Sequence, residues 1–515
     1  MKYKILWADD EIDLLKAHIM FLAEKDVEIV PVNNGVDALD MINKEDYDMV
    51  FLDESMPGMT GLEVLVEIKK VDANIPVVMI TKNEAEHIME EAIGGKISDY
   101  LIKPIKPNQI LLVIKKQLEN KRLISESANT QYQKEFQKIS MLYNDHLDAE
   151  EWVDVYKDLV RHEVNIDETE GKSMEEVLNM QKSEANKLFS RFVEDNYEDW
   201  VQNKDEAPLM SDEVMAERVF PLIRDGEKVF FILIDNLRYD QWKVLSNELQ
   251  ELFNIVDESL FYSILPTATA YARNAIFSGL MPLEISKKYP DHWLGDEDEG
   301  GKNLNEEFFL GENLKRNKLN VNYSYNKVIR PEDGEKLVDS YKNLEGNDLN
   351  VAVFNFVDML SHARTDMQMI KSLAKDESAY RSLTHTWFKH SNLLGLLKKI
   401  KDSNFRVIIT TDHGTVRVKK PSKIVGDRKT NSNLRYKNGK TLTVQGKGIW
   451  QVKNPEKIGL PRIHGSSSFA FAQEDHYLVY PNNYNHYVNI YDDSFQHGGV
   501  SLEEMIIPII ELKAK

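Results

Sequence analysis

Thr267 and Thr269 stand two residues apart in the stretch Leu265–Gly279, LPTATAYARNAIFSG, ahead of a run with helical character, Ala272–Phe277. A threonine hydroxyl is almost wholly protonated at neutral pH and becomes a nucleophile only beside a base or a metal. The C-terminal part of the chain offers such partners. Asp235 follows an apolar run in FFILIDNLRYD, and Asp358 follows another in VAVFNFVDMLSH. Asp412 and His413 follow a third in VIITTDHG, and His497 stands in FQHGGVSLEEMIIP. Asp358 and His362 are spaced i, i+4, so a helical turn puts both on one face. Six nitrogen or oxygen donors, with Thr269 as a seventh, exceed the roughly four that one zinc takes. The set suits two ions about 4 Å apart, as in two-metal hydrolases. Mixed imidazole and carboxylate ligation favours zinc or manganese over magnesium. The chain has no cysteine, which excludes thiolate sites and disulfides.

A second constellation lies near the start. Asp9, Asp10 and Glu11 close one apolar run, Asp53 closes another, and Thr81 and Lys103 close two more. An acidic pair facing a lone aspartate suits magnesium, a hard ion that keeps waters and takes phosphate as co-ligand. Asp53 can then accept a phosphoryl group, with Lys103 pairing with the added charge and Thr81 swinging to it. Each piece alone has an ordinary explanation: acids are common at strand ends, and most histidines are not ligands. The reading rests on their coincidence at strand ends.

The elements that must position these groups follow from periodicity. Residues 1–120 alternate strand-like runs (Tyr3–Ala8, Glu28–Val32, Met49–Asp53, Pro76–Thr81, Ile97–Ile102) with helix-like ones, which reads as a doubly wound α/β sheet. In such sheets function gathers at the carboxyl ends of strands. Residues 121–215 read as a helical bundle linker: Tyr132, Phe136, Ile139, Tyr143 and Leu147 recur at helical spacing, and so do Trp152, Tyr156 and Leu159. A break is expected at Asn165–Lys172, with Gly171 as punctuation. From 216 to 515 the alternation returns as a second α/β domain, with strands predicted over Val229–Ile234, Val351–Val357, Arg406–Thr411 and Ile506–Leu512. Three of these place an aspartate at the carboxyl edge, where parallel strands bring their ends together.

Length and composition agree with a multidomain globular protein. The 515 residues carry 42% hydrophobic and 29% charged side chains. A net charge of −21 argues against wrapping duplex DNA. No apolar run is long enough for membrane insertion, and the chain opens without a signal peptide, so a cytoplasmic location is expected. No basic-flanked helix-turn-helix pattern stands out.

LWADDE, FLDESMPGMTGLEVL, VVMIT and DYLIKPI resemble the receiver domain of two-component response regulators. That resemblance implies Asp53 as phosphoacceptor and a magnesium ion bound by Asp10 directly, by Asp9 through water and by the Ser55 carbonyl. It also implies Thr81 and Tyr100 as the switch pair, Lys103 as the phosphoryl contact, a cis Lys103–Pro104 bond, and signalling through the face around Tyr100, often by dimerisation. VFFILIDNLRYDQW, LPTATAYARNAIFSGLMP, FNFVDMLSH, IITTDHG and FQHGGVSLEEMIIP are similar to the alkaline phosphatase superfamily, and more closely to its PglZ branch. The superfamily implies one zinc on Asp235, Thr269, Asp412 and His413 and another on Asp358, His362 and His497. PTAT resembles the threonine segment of the nucleotide pyrophosphatase/phosphodiesterase branch, which makes Thr269 the nucleophile and Thr267 the alternative. The order receiver, helical linker, PglZ resembles the response regulators of the type IX secretion system. It implies a sensor histidine kinase, an alternative sigma factor and secretion-system components as partners, and a homodimer on phosphorylation.

The mechanism expected is in-line attack of Thr269 on phosphorus, then hydrolysis of the phosphothreonine. Arg273 and Arg238 are candidates for neutralising the non-bridging oxygens. The segment Thr415–Lys440 is basic, with Arg417, Lys419, Lys420, Lys423, Arg428, Lys429, Arg435, Lys437 and Lys440 against Asp427. Such a run can track a nucleic-acid backbone, with Tyr436 and Trp450 stacking on bases, or it can be a solvated loop. His464 is a further pocket candidate. The first functional reading is a phosphorylation-controlled, zinc-dependent phosphodiesterase acting on oligonucleotides or cyclic nucleotides. The second is a catalytically idle, metal-holding module that binds a ligand or partner. A metal-dependent mutase is the third.

Overall fold

The computed structural model describes residues 3–72, 75–81, 97–114, 117–118, 146–169, 172–296, 298, 301–426, 433–462 and 464–515. It divides into two compact units, Met1–Gln131 and Tyr132–Lys515. In the first, β1 (Tyr3–Ala8), β2 (Val27–Val32), β3 (Met49–Asp53), β4 (Val77–Thr81) and β5 (Asp99–Ile102) form one parallel sheet in the order β2-β1-β3-β4-β5. This is the doubly wound order that sets a ligand crevice at the carboxyl ends of β1 and β3. Alternate residues of β1 serve opposite faces: Ile5 and Trp7 join one core, Leu6 and Ala8 the other. The helices α1 (Lys16–Ala23), α2 (Gly35–Ile42), α3 (Gly61–Val71) and α4 (Pro107–Ile114) cover these faces. Thr60 and Glu63 close a reciprocal capping box at the start of α3.

The second unit is built on a six-stranded sheet. Its strands are β6 (Lys228–Ile234), β7 (Phe253–Tyr262), β8 (Tyr323–Val328), β9 (Leu349–Phe354), β10 (Phe405–Thr410) and β11 (Ile506–Ala514), in the order β7-β11-β10-β6-β9-β8. The strands from β10 to β8 run parallel, and β11 is antiparallel to both neighbours. Ile234 is level with Phe354, and Leu233 with Thr410, so β6, β9 and β10 end side by side. Asp235 and Asp412 leave the sheet at this edge. The strand expected to run to Val357 stops at Phe354, so Asp358 lies in the first turn of a helix rather than at a strand end.

Two helices, α5 (Ala149–Thr169) and α6 (Lys172–Gln202), belong to this second unit. Trp152, Tyr156, Phe189, Tyr197 and Trp200 share one core with Phe230, Ile232 and Ile234 of β6. The expected break is shorter than Asn165–Lys172, since helix runs through Thr169 and resumes at Lys172. Tyr132, Phe136, Ile139 and Tyr143 lie outside the described residues. Among the described residues no helix is long and apolar enough to cross a membrane.

Charge also fixes this helical pair. Glu163 is buried and pairs with Lys182 at 2.7 Å and with Arg381 at 2.6 Å. Burial acts to raise its pKa, but these two cations win and hold it down to about 2. A carboxyl depressed from 4.5 in the folded state contributes stability above pH 4.5 that is lost as pH falls toward 2. We expect this group to account for about 3 kcal/mol of the acid loss of unit stability. Denaturant titrations between pH 5 and 2 on wild type and Glu163→Gln check this, because the variant should be less stable at pH 6 and lose less on acidification.

Candidate metal centre and phosphoacceptor pocket

At the common edge of β6, β9 and β10 two donor groups form. Asp235, Asp412 and His413 bring ligand atoms within 4.8 Å of one another, and so do Asp358, His362 and His497. Thr269 joins the first group, its Oγ1 lying 3.0 Å from His413 Nε2 and 3.4 Å from Asp235 Oδ1. In the second, His362 Nε2 is 3.6 Å and His497 Nε2 3.7 Å from the Asp358 carboxylate. The rings of His413 and His497 stack at 4.2 Å, which sets the two groups side by side. Helix α7 (Tyr239–Leu249) follows Asp235. Helix α8 (Thr269–Ser278) opens at Thr269, three residues before the expected start. Helix α9 (Phe356–Asp366) carries Asp358 and His362 one turn apart.

Hydrogen bonds orient both stacked imidazoles. His413 Nδ1 faces the Gly414 carbonyl at 3.1 Å and His497 Nδ1 faces that of Thr267 at 3.1 Å. A carbonyl only accepts, so Nδ1 carries the proton in each and Nε2 keeps its lone pair for the site. Gly414 is required by close approach, since a Cβ there would strike the Glu503 carbonyl. Thr267, the alternative nucleophile, is buried; its hydroxyl donates to Gly499 O at 2.9 Å and accepts the Gly498 N–H at 3.0 Å. Those bonds make it a brace between two loops, whereas the Thr269 hydroxyl contacts His413 and Asp235.

Asn236, which the sequence reading did not single out, joins the groups. Its Nδ2 donates to Asp358 Oδ1 at 3.3 Å and to Ser361, and its N–H reaches Asp412 Oδ1 at 3.4 Å. It holds a left-handed backbone (φ 64°), a region that asparagine tolerates better than most residues. Among the described residues its buried Oδ1 has no hydrogen-bond partner. The signal available was a polar amide directly after Asp235 at a strand end.

Arg273 lies under the first group at 0% exposure. It pairs with Asp235, with Asp412 at 2.9 Å and with Glu306 at 3.5 Å. Burial pushes Asp235 well above the usual carboxylate range, opposed by Arg273 and helped by Asp412 and Asp358. Burial also acts to raise Asp412, but Arg273, His413 and backbone N–H groups hold it down to about 2. Burial, with His413 alongside, lowers His497 to about 3, against the pull of Asp358. A neutral imidazole is the form that binds metals. Imidazole nitrogens, carboxylates and a hydroxyl in two adjacent clusters fit a pair of divalent ions of the zinc type.

Several candidate binding residues are used otherwise. Arg273 is committed to the donor carboxylates and is not free for substrate. Arg238, 1% exposed, is locked between Asp240 at 2.5 Å and Glu377 at 2.6 Å, so its charge serves the core. Lys420 pairs with Asp475 at 2.8 Å and Glu474 at 3.5 Å. Lys419 is exposed beside it, and among the described residues no hydrogen bond or ion pair joins either lysine to the donors. The basic run is not one solvated loop. Residues Val416–Val418, Lys420–Val425 and Tyr436–Gly439 are strands, Arg417 pairs with Asp493, and Arg435 with Glu504. Arg428, Lys429 and Asp427 lie outside the described residues. Tyr436 is buried, its hydroxyl donating to Asp296, and Trp450 packs on Tyr197 and Phe471. The Tyr436 ring is therefore not offered to a base, and Trp450 is half-buried. His464 is half-buried, its N–H bonded to Ser467.

In the first unit, Asp9, Asp10 and Asp53 bring carboxylate oxygens within 4.8 Å of one another at the ends of β1 and β3. Lys103 reaches Asp53 at 2.8 Å and Asp9 at 3.0 Å. Burial raises the Asp53 pKa, opposed by Lys103 and reinforced by Asp9 and Asp10. Three carboxylates with one lysine leave negative charge for a hard cation such as magnesium. Thr81 is buried at the end of β4, Tyr100 is 39% exposed on β5, and Ser55 is exposed after β3. The Lys103–Pro104 bond is cis.

Residues 214–512, more than half of the chain, match the BREX system PglZ alkaline phosphatase-like domain. The chain belongs to the PglZ family. Ahead of its PglZ domain, residues 122–201 match the PorX response regulator linker domain and residues 5–115 the response regulator receiver domain. It is therefore a response regulator that joins a receiver to a PglZ domain. Among curated proteins it is 31% identical over 112 residues to the transcriptional regulatory protein ResD of Bacillus subtilis, covering 22% of this chain and 46% of ResD. It is 34% identical over 114 residues to a CpxR homolog of Haemophilus influenzae, covering 22% and 48%. The chain spans about half the length of these relatives. Among solved structures it is similar to the response regulator TrrA of Thermotoga maritima, at 31% identity and TM-score 0.21, over 23% of this chain and 100% of that one.

Proposed function

We propose that the PglZ domain is a zinc-dependent phosphodiesterase acting on oligonucleotides or cyclic nucleotides, controlled by phosphorylation of Asp53. One observation carries this: the Thr269 hydroxyl lies against His413 and Asp235, beside a second donor group. A pair of bound divalent ions supplies the charge that lowers a hydroxyl pKa and offsets phosphate charge. The chain's own residues do the rest. His413 and Asp235 fix the Thr269 side chain, and the backbone N–H groups opening α8 favour an anion beside it. Arg273 keeps the donor carboxylates in place, and Asn236 ties the two groups together. The diester class is supported by the likeness of PTAT to the phosphodiesterase branch. The paired basic residues of 415–440 give it no support.

Full-length protein loaded with zinc is expected to hold two ions per chain, release nitrophenol from bis(nitrophenyl) phosphate and cut short oligonucleotides. Faster release from the nitrophenyl monoester would replace diesterase with phosphatase. Two bound ions with no release from either ester would leave a metal-holding binding module.

The linker match supports a place among the response regulators of the type IX secretion system. On this reading a sensor histidine kinase phosphorylates Asp53, with magnesium on Asp9, Asp10, Asp53 and Ser55. The response is a homodimer that acts on an alternative sigma factor and secretion-system components. Beryllofluoride should shift wild type towards dimer in sedimentation, and Asp53→Ala should not respond. An equal shift in that variant would remove Asp53 as the phosphoacceptor.

A further inference from the structure

Helix α6 reaches the loops of the metal centre through buried polar groups. Ala185, Phe189, Val193, Tyr197 and Trp200 fill the core at helical spacing. On the same buried side stand Asn186 and Ser190, 7% and 2% exposed, polar groups that must find hydrogen-bond partners there.

Each polar group binds a segment that carries the chemistry. Tyr197 Oη accepts the Leu265 N–H at 2.7 Å, four residues before Thr269. Ser190 donates to Val500 O at 3.3 Å. Asn186 accepts the Leu502 N–H at 2.8 Å and donates to Glu503 at 3.0 Å, just past His497. The two segments meet at the site itself, where Thr267 bonds Gly498, Gly499 and His497. One helix therefore grips the outer ends of two crossed loops. One loop ends in the nucleophile of the first donor group, the other in a ligand of the second.

We propose that α6, by Tyr197 on the Leu265 loop and by Asn186 and Ser190 on the loop after His497, is a positioning element that sets Thr269 against His497. This rests on the two-metal reading of the site and adds its regulation. Most of α6 falls within residues 122–201, between the receiver and PglZ matches. A shift of this helix moves both loops, and turnover is sensitive to small misplacements of reacting groups. Among the described residues Tyr197, Asn186 and Ser190 make no hydrogen bond to the donors and act through the loops, so they are positioning residues.

The experiment uses full-length Tyr197→Phe and Asn186→Ala. Hydrogen exchange by mass spectrometry should rise in segments covering 260–268 for Tyr197→Phe and 498–505 for Asn186→Ala, with segments of 3–72 unchanged. This readout needs neither metal nor turnover. In zinc titration, Asn186→Ala should loosen one of two equivalents by about tenfold, the scale of an outer-shell loss. With a nitrophenyl diester, both variants should lose about tenfold in kcat with KM little changed. Unchanged exchange in both segments overturns the proposal. So does raised exchange with unchanged zinc affinity and kcat, since α6 would then hold the loops without positioning them. If wild type binds zinc but turns nothing over, the phosphodiesterase reading falls, and exchange with zinc affinity still decides the role of α6.

Discussion

Thr269→Ala should lower phosphodiester turnover by at least about 10³-fold with both donor groups still loaded with zinc. The hydroxyl is the part of the side chain that hydrogen-bonds His413 and Asp235. Its removal takes away the proposed attacking atom and one of seven candidate donors, leaving three in each group. Alanine is the best helix former, so the first turn of α8 should persist. Elemental analysis of the variant separates loss of metal from loss of nucleophile. Thr269→Ser keeps a hydroxyl at the same place and should retain activity within about tenfold. An alanine variant that turns over as fast as the serine variant would mean that water attacks phosphorus directly, and Thr269 would be reduced to a ligand.

The legible parts of this site are those that a parallel sheet gathers by rule. Asp235 and Asp412 each follow an apolar strand, and such strands end on one edge. The i, i+4 spacing of Asp358 and His362 survives even though the strand stops early, because it needs only one helical turn. The same rule makes Asp9, Asp53 and Lys103 readable in the receiver. Ion pairs between distant segments were not readable. Arg417 looks like one of a run of free cations until Asp493 is placed beside it from 76 residues away. Arg435 meets Glu504 across 69 residues. Tyr436 resembles a base-stacking platform only while Asp296 is absent. Periodicity reports which face is buried and says nothing of which remote acid meets a buried arginine. By sequence proximity alone Arg238 and Arg273 look like phosphate-binding groups, and both prove to be internal counter-charges.

Arg273→Met should destabilise metal-free protein by about 3–5 kcal/mol, the cost of leaving buried charges without their partner, and saturating zinc should remove most of that deficit. Arg273 is fully buried, and its guanidinium faces Asp235 and Asp412 together, so the variant leaves the Asp412 carboxylate without its main counter-charge and Asp235 without the cation that opposes its raised pKa. Glu306 keeps Lys327 at 2.8 Å and a Tyr325 hydrogen bond, so its charge stays countered and the damage falls on the donor carboxylates. Methionine preserves most of the volume and isolates the charge effect from a cavity effect. A bound divalent ion restores positive charge at the two aspartates and stabilises the folded state by mass action. Chemical unfolding in chelator and in excess zinc measures both quantities. Arg273→Lys should fall between, because a single ammonium is a point charge that lacks the planar fork needed to face two carboxylates. An equal deficit in chelator and in zinc would assign Arg273 to the Glu306 side of its network, and the donors would then hold their places without it.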